Sequence, residues 1–164
     1  MTDTFAELMT STGVRLGFGP TPPDKDGYCV FDFGPTFVSC ALSGDGSMIR
    51  LTAPVAEIPG ECPAAVLERL LDAQLFFKDT RGAAFSYQKG NGAVLLHLNV
   101  RTAGLDSVML EHCVTNMHAV SERFAKEIAD MLAASPADGP SGMDVSGDSA
   151  QNELSLAGYS LIFG

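Results

Sequence analysis

The feature that most constrains this chain is a long run of apolar residues, spaced three and four positions apart, in its C-terminal half. The run follows Gly104 and continues to about Ala134 without an intervening proline or glycine. This spacing places apolar side chains on one stripe of an α-helix, so it predicts an amphipathic helix of about seven or eight turns. The stripe consists of Leu105, Val108, Met109, Cys113, Met117, Val120, Phe124, Ile128, Met131 and Leu132.

Five shorter runs, rich in β-branched and aromatic residues, are predicted to be strands. Gly34-Pro35 and Gly44-Asp45-Gly46 separate the first three runs, and Gly90-Asn91-Gly92 separates the last two. Asn-Gly is among the strongest local signals for a β-hairpin. We therefore predict an antiparallel meander of three strands and, later in the chain, a separate hairpin. The runs cover residues 28–33, 37–42, 48–55, 84–89 and 93–100.

A short helix is predicted at the start of the chain. Phe5, Leu8 and Met9 have the spacing of one helical face, and the helix is expected to end near Gly13. Apolar residues alternate with others in residues 14–18, which predicts an extended segment there.

Another helix is expected to start at Pro63, because proline suits a first helical turn. Phe76 and Phe77 extend its apolar surface beyond what one buried face needs. The complete order is α-β-β-β-α-β-β-α, which predicts an α+β fold with a twisted, mainly antiparallel sheet packed by helices. The apolar stripe of this helix is Val66, Leu67, Leu70, Leu71 and Leu75.

The chain is predicted to consist of one domain, residues 1–134, and a tail, residues 135–164. Gly, Ser, Pro and Asp dominate the start of the tail, which contains four acidic residues and no Lys or Arg in total. This composition predicts a flexible acidic segment. Its last stretch, residues 154–163, is apolar again and is a candidate strand.

The charge balance limits the classes of partner. The chain has 20 Asp and Glu against 10 Lys and Arg, a formal net charge of −10. This charge repels a phosphate backbone, so nucleic-acid binding is not expected, but it would keep an exposed apolar surface in solution. Since the N-terminus shows no secretory signal and no apolar run reaches the ~20 residues of a membrane span, a cytoplasmic protein is predicted.

Residues with catalytic or metal-binding chemistry are few and poorly spaced. His112 and His118 lie six residues apart in the last predicted helix, whereas metal-binding pairs on a helix usually lie about three or four apart. Cys113 falls on the apolar stripe, which argues against an accessible nucleophilic thiol. We therefore predict no catalytic residues, no metal and no cofactor. A small enzyme using Cys or His chemistry is the less favoured alternative.

Apolar surface is instead in excess. The first helix, Phe76-Phe77 and seven methionines suggest surfaces that accommodate varied apolar partners. A small sheet also has open edges, which makes addition of an extended peptide plausible. These features favour a protein that binds another protein.

Four segments together resemble class I type III secretion chaperones of the Tir chaperone (CesT) family, over about residues 4–134. Residues 67–77, LERLLDAQLFF, are similar to the family's second helix, in which leucines precede Ala-Asn and an apolar pair. Residues 82–85 and 93–98 are similar to its late hairpin, and Leu105-Asp106 leads into a helix similar to its closing helix. Small size, acidity and element order agree with this resemblance.

The resemblance implies a bacterial, cytoplasmic homodimer that binds the N-terminal segment of a secreted effector in an extended state. The chaperone would keep that effector soluble and competent for secretion. Carried over to this sequence, the partner-binding residues are Phe5, Leu8, Met9, Val14, Leu16, Val30, Phe31 and Phe33. The dimer interface, commonly formed by the second helix and nearby strands, would involve Val66, Leu67, Leu70 and Leu71.

The sequence departs from the family pattern in two places, the Pro-rich loop at residues 20–26 and the long tail after Ala134. The tail suggests that residues 154–163 occupy the binding groove as an internal placeholder. The main alternative function is a regulatory module of the same layout, outside secretion, that binds a folded partner.

Overall fold

The computed structural model describes residues 2–134, and within them the predicted order of helices and strands is confirmed. The predicted tail lies outside the described residues. The helices are α1 (Thr2–Leu16), α2 (Ala64–Gln74) and α3 (Ser107–Ala134), and a 3-10 turn (Leu75–Phe77) follows α2. The strands are β1 (Tyr28–Asp32), β2 (Phe37–Leu42), β3 (Met48–Glu57), β4 (Ala84–Gln88) and β5 (Ala93–Arg101).

The five strands form one sheet in the order β1-β2-β3-β5-β4, and all neighbouring strands are antiparallel. The first three strands make the predicted meander, and β4 and β5 make the predicted hairpin. Because β5 and not β4 lies next to β3, the connection that contains α2 crosses over one strand position. The edges of the described sheet are therefore β1 and β4.

The core lies between one face of the sheet and α3. Alternation along the strands directs Phe31, Leu51 and Leu96 to this face, and all three are fully buried. Leu110 and Phe124 of α3 meet them, although Leu110 lies outside the predicted stripe. α1 packs against α3 and extends this layer of helices.

The expected end of α1 at Gly13 is wrong, and so is the extended segment predicted for residues 14–18. A Cβ atom at Gly13 would lie 2.5 Å from the carbonyl oxygen of Gly19 and 2.5 Å from the hydroxyl of Thr21. Gly13 therefore allows the following loop to pack directly on the helix. The role of Gly13 depends on a tertiary contact, and the local sequence around a glycine does not reveal such a contact.

The helix ends instead at Leu16, through a Schellman motif. Gly17 adopts a left-handed φ of +86°. The Phe18 N–H donates to the Gly13 carbonyl at 2.9 Å, and the Gly17 N–H donates to the Val14 carbonyl at 3.2 Å. These two bonds satisfy carbonyl groups that the end of a helix otherwise leaves unpaired.

Two apolar stripes differ from those that the spacing predicts; at the start of α3 the buried face contains Leu110 and Val114, which were not in the predicted stripe. Val108 and Met109, in the first turn of α3, are exposed. On α2, Val66 and Leu70 are buried, whereas Leu71 is exposed. Periodicity identifies which side chains share a helical face, but the neighbouring elements decide how much of that face is covered.

Candidate partner-binding site

The predicted partner-binding residues differ in burial. Met9 and Phe31 have no exposed surface, so their side chains contribute to the core of this chain. Phe5 is buried but lines a groove described below. The partly buried members are Leu8, Leu16 and Phe33, and the exposed members are Val14, at 56%, and Val30, at 44%.

In the part of the chain that the structure describes, β2 is the one strand that pairs with β1. The Phe33 N–H donates to the Thr36 carbonyl at 3.0 Å, on the side that faces β2. Successive residues of a strand direct their backbone groups to opposite sides. The N–H and C=O groups of Val30 and Asp32 therefore point away from β2, toward the edge of the sheet.

Part of this edge is closed by the preceding loop. The Tyr28 N–H donates to Asp24 Oδ1 at 2.9 Å, and the Tyr28 carbonyl accepts from the Asp24 N–H at 2.7 Å. Beyond Val30 and Asp32, the sheet formed by residues 2–134 has no further strand. A short extended peptide could therefore pair there.

Aromatic side chains stand beside this open edge. The half-exposed Phe18 ring packs edge-to-face on Phe33, with centroids 5.1 Å apart, and lies 6.0 Å from the ring of Phe31. Phe33 in turn stacks on His118 of α3, with centroids 4.1 Å apart and planes 7° apart. We call the backbone of Val30 and Asp32, with the side chains of Phe18, Val30 and Phe33, the β1 edge site.

A second feature, the α1 groove, lies between the start of α1, the β2–β3 turn and the loop before α3. It has a volume of about 510 Å³. Its apolar lining includes two predicted residues, Phe5 and Leu8, and three that were not predicted, Leu42, Ile49 and Leu105. Leu42 and Ile49 are cross-strand partners, so pairing register could have placed them together, but only once β2 and β3 were aligned.

The opposite edge of the sheet, β4, is partly blocked. The side chain of Gln74, the last residue of α2, accepts a hydrogen bond from the Phe85 N–H at 2.9 Å. Sheet edges invite unwanted pairing, and occupying an edge N–H reduces that tendency. The sequence contains no local signal for this contact, because the two residues meet only through the crossover. Of the two edges, β1 is the more open at its centre.

Four apolar side chains are exposed together at the end of α2 and in the 3-10 turn. Leu71 is 63% exposed and Phe76 is 89% exposed, and Leu75 and Phe77 are about half exposed. Phe76 and Phe77 also adopt left-handed φ values of +55° and +54°, which cost bulky residues about 1–3 kcal/mol each. We call these four residues the α2 strip.

The predicted dimer residues lie on both sides of this helix. Val66 and Leu70 belong to the core, Leu67 is partly buried, and Leu71 belongs to the α2 strip. Of the four predicted dimer residues, Leu71 alone has a largely exposed side chain in the single chain. The rest of the predicted interface stays a prediction.

The four cysteines lie in environments that suppress the reactive thiolate. Burial raises the pKa of the Cys29 thiol to about 12, and the negative charge of Asp24 adds to this effect. Burial also raises the pKa of Cys40, Cys62 and Cys113. Since the thiolate is the nucleophile, these thiols do not favour cysteine catalysis.

A polar row that the sequence did not reveal crosses the face of the sheet opposite the core. His97 contacts the Thr52 hydroxyl through Nδ1 at 3.2 Å and the Ser86 hydroxyl through Nε2 at 2.8 Å. Ser39 extends the row by donating to the Thr52 carbonyl at 3.3 Å. Burial, and then the charge of Arg50, lower the pKa of His97. Within residues 2–134 no group of three or more His, Cys, Asp or Glu could hold a metal.

Residues 7–125 match the family model of the Tir chaperone protein (CesT) family, and the chain belongs to this family. No curated protein is matched by the sequence. None of the helices in the described part of the chain combines the length and the hydropathy of a membrane span.

The fold is shared with chains of several solved complexes. A chain of the ExsC–ExsE complex is 18% identical, with a TM-score of 0.66, over 78% of this chain and 96% of that chain. A chain of the HopA1–SchA chaperone–effector complex is 13% identical, with a TM-score of 0.62, over 76% and 95%. A chain of the ExoT–SpcS complex from Pseudomonas aeruginosa is 19% identical, with a TM-score of 0.56, over 75% and 98%. At these identities the similarity concerns the fold.

Proposed function

We propose that this protein is a cytoplasmic type III secretion chaperone that binds the N-terminal segment of a secreted effector in an extended state. Binding would keep the effector soluble and competent for secretion. The observation that carries this proposal is the open centre of β1, flanked by apolar side chains, in a member of the CesT family. Similar folds occur in a chaperone–effector complex, which agrees with a partner of this kind.

The β1 edge site suits an extended peptide because it offers both backbone and side-chain contacts. A peptide added to Val30 and Asp32 would alternate its side chains between the two faces of the sheet. One set would pack near Phe18 and Phe33, and the other near the side chain of Val30. Each backbone hydrogen bond contributes about 0.5–1.5 kcal/mol net, so a few such contacts bind a client that can still be released.

The α1 groove provides a second place for apolar side chains of the client. Its volume of about 510 Å³ is within the ~300–1,000 Å³ of typical ligand sites, and its floor is apolar. Phe5 and Leu8 would contact the client there, whereas Met9 would hold α1 in position from beneath. This mechanism is stoichiometric and requires no catalytic residue and no cofactor.

The α2 strip supports the proposed homodimer. An apolar cluster of this kind, with two phenylalanines in unfavourable backbone conformations, is costly in a free chain in water. A second copy that covers Leu71 and Phe76 would bury their apolar side chains. Its contacts would also hold the 3-10 turn in the left-handed backbone conformation. The high negative charge of the chain would then keep the dimer, and a bound client, in solution.

Affinity capture from the cytosol of the source cells tests the function. The expected result is one secreted protein, captured at a stoichiometric level, whose N-terminal region alone is sufficient for binding. A partner that is folded when free would favour the regulatory module instead. If no protein is captured, the chaperone proposal fails and the alternative of an enzyme must be reconsidered, beginning with selective alkylation of the cysteines.

A further inference from the structure

We propose that the chain's own segment of residues 154–163 occupies the β1 edge site when no client is bound. This inference rests on the proposed function, because it assigns a second, internal occupant to the same site. The segment lies outside the described residues. The chemistry of the site, the sequence of the segment and the length of the connecting chain support this occupant.

The sequence of the segment, LSLAGYSLIF, meets the requirements of the site. It contains no charged residue, whereas four acidic residues lie between Ala134 and its start. In a strand, Tyr159, Leu161 and Phe163 would share one face, and Leu154, Leu156 and Ile162 would share the other. Either face would therefore carry three large apolar groups. The β1 edge site offers one apolar face, formed by Phe18 and Phe33, and unpaired backbone groups at Val30 and Asp32.

The connecting chain has a suitable length. Phe33, at the end of β1, stacks on His118 of α3, and α3 continues for 16 residues to Ala134. At 1.5 Å per residue this distance along the helix is about 24 Å. Residues 135–153 form a connector of 19 residues rich in Gly and Ser, whose r.m.s. span is roughly 22–26 Å.

A connector whose r.m.s. span matches the distance gives the tethered segment an effective concentration on the order of millimolar. A weak strand, which would not bind from dilute solution, could then occupy the site for much of the time. A client that binds more tightly would displace it. The acidic connector would be repelled by the negatively charged protein and would stay in solvent. The segment of residues 154–163 is uncharged and would not be repelled.

Amide hydrogen exchange of the full chain, without any client, tests this proposal. The measured quantity is the exchange rate of the Val30 and Asp32 amides, with the Tyr87 amide on the outer side of β4 as an internal reference. The test variant carries Tyr159→Asp, Leu161→Asp and Phe163→Asp, at the three positions of one strand face. Its matched control carries Ser149→Asp, Gln151→Asp and Asn152→Asp, which add the same charge in the connector, outside the segment.

We expect the Val30 and Asp32 amides to exchange at least about three-fold faster in the test variant than in the wild type, because opening exposes them to solvent. The control variant should resemble the wild type. Equal rates in all three proteins would overturn the proposal. Protection that disappears on dilution would also overturn it, because the occupant would then be the segment of a second copy.

Failure of this inference and failure of the proposed function are distinguishable. The exchange experiment uses no client, so equal rates would leave the capture of an effector unaffected. Conversely, if no client is captured, the difference in exchange rates between the wild type and the test variant would still stand. The tail would then be a self-contained strand of the fold and not a placeholder for a client.

Discussion

At the scale of single residues, Gly92 is required by the backbone conformation of its turn and by a close contact with Ile58, which lies outside the turn. Its φ is +74°, and a Cβ atom there would lie 2.1 Å from the carbonyl oxygen of Ile58. Ile58 also donates its N–H to the Gly92 carbonyl at 2.9 Å. The glycine thus permits the β4–β5 hairpin to approach the end of β3 closely.

We predict that Gly92→Ala destabilises the protein by about 2 kcal/mol or more, since both the backbone conformation and the close contact become unfavourable. The measurement is the free energy of unfolding from urea titration. Gly90→Ala is the control, because Gly90 has open space around its Cβ position. Similar losses for the two variants would contradict this explanation.

His97 is expected to make stability depend on pH. Burial and Arg50 lower its pKa below the ordinary value of 6.5, so the folded state favours the neutral ring and the unfolded state takes up protons first. The contribution of His97 to stability is therefore present above about pH 6.5 and is lost as the pH falls through the lowered pKa of the folded state.

This prediction is checked by comparing urea midpoints at pH 7.5 and at about pH 5. The wild type should lose more stability over this interval than His97→Gln, in which the group is absent. His112→Gln, at an exposed position of α3, should behave like the wild type. A loss in His97→Gln as large as in the wild type would show that His97 does not carry the effect.

At the scale of elements, the α2 strip determines the expected assembly. We predict that Leu71→Asp converts a dimer into a folded monomer, because Leu71 is exposed within the chain and a charge in an apolar interface is costly. Sedimentation equilibrium measures the change, and circular dichroism checks the fold. Val14→Asp, at a similarly exposed position on α1, is the control and should leave the dimer intact.

Phe76→Gly separates assembly from backbone strain. Glycine tolerates the left-handed conformation of this residue, so we expect the stability of the Leu71→Asp monomer to be unchanged or to rise by about 1 kcal/mol when this substitution is added. In the wild-type background the same substitution should weaken the dimer. A dimer of unchanged affinity would exclude the Phe76 side chain from the interface.

Elements built from local signals could be predicted from the sequence. The spacing of apolar residues is sufficient to predict the helix α3, and the Asn91-Gly92 turn is sufficient to predict the β4–β5 hairpin. The end of α1 could not be predicted, because Gly13 is explained by its packing on the loop at Thr21. The burial of the predicted site residues could not be predicted, for a related reason. Val66 and Leu71 lie on one apolar stripe, and only the packed structure shows that one is covered and the other exposed.

At the scale of the whole molecule, the two sheet edges differ, and this asymmetry is what the proposed function requires. Gln74 blocks part of β4, next to the surface assigned to the dimer. Among residues 2–134, the outward backbone groups at the centre of β1 have no partner strand, beside Phe18 and Phe33. A dimer built through α2 would thus leave one open edge for a client on each copy.

The most direct test is the affinity of the captured client's N-terminal segment for Val30→Pro and Val30→Ala, measured by calorimetry. The background carries the three Asp substitutions of the tail, so that the chain's own segment does not compete. Proline removes an N–H that points outward, which an edge strand tolerates, and alanine removes only side-chain contacts. We predict binding to Val30→Pro about three- to ten-fold weaker than to Val30→Ala, since one backbone hydrogen bond contributes about 0.5–1.5 kcal/mol net. Affinities within about two-fold of each other, in two folded proteins, would contradict strand addition at β1.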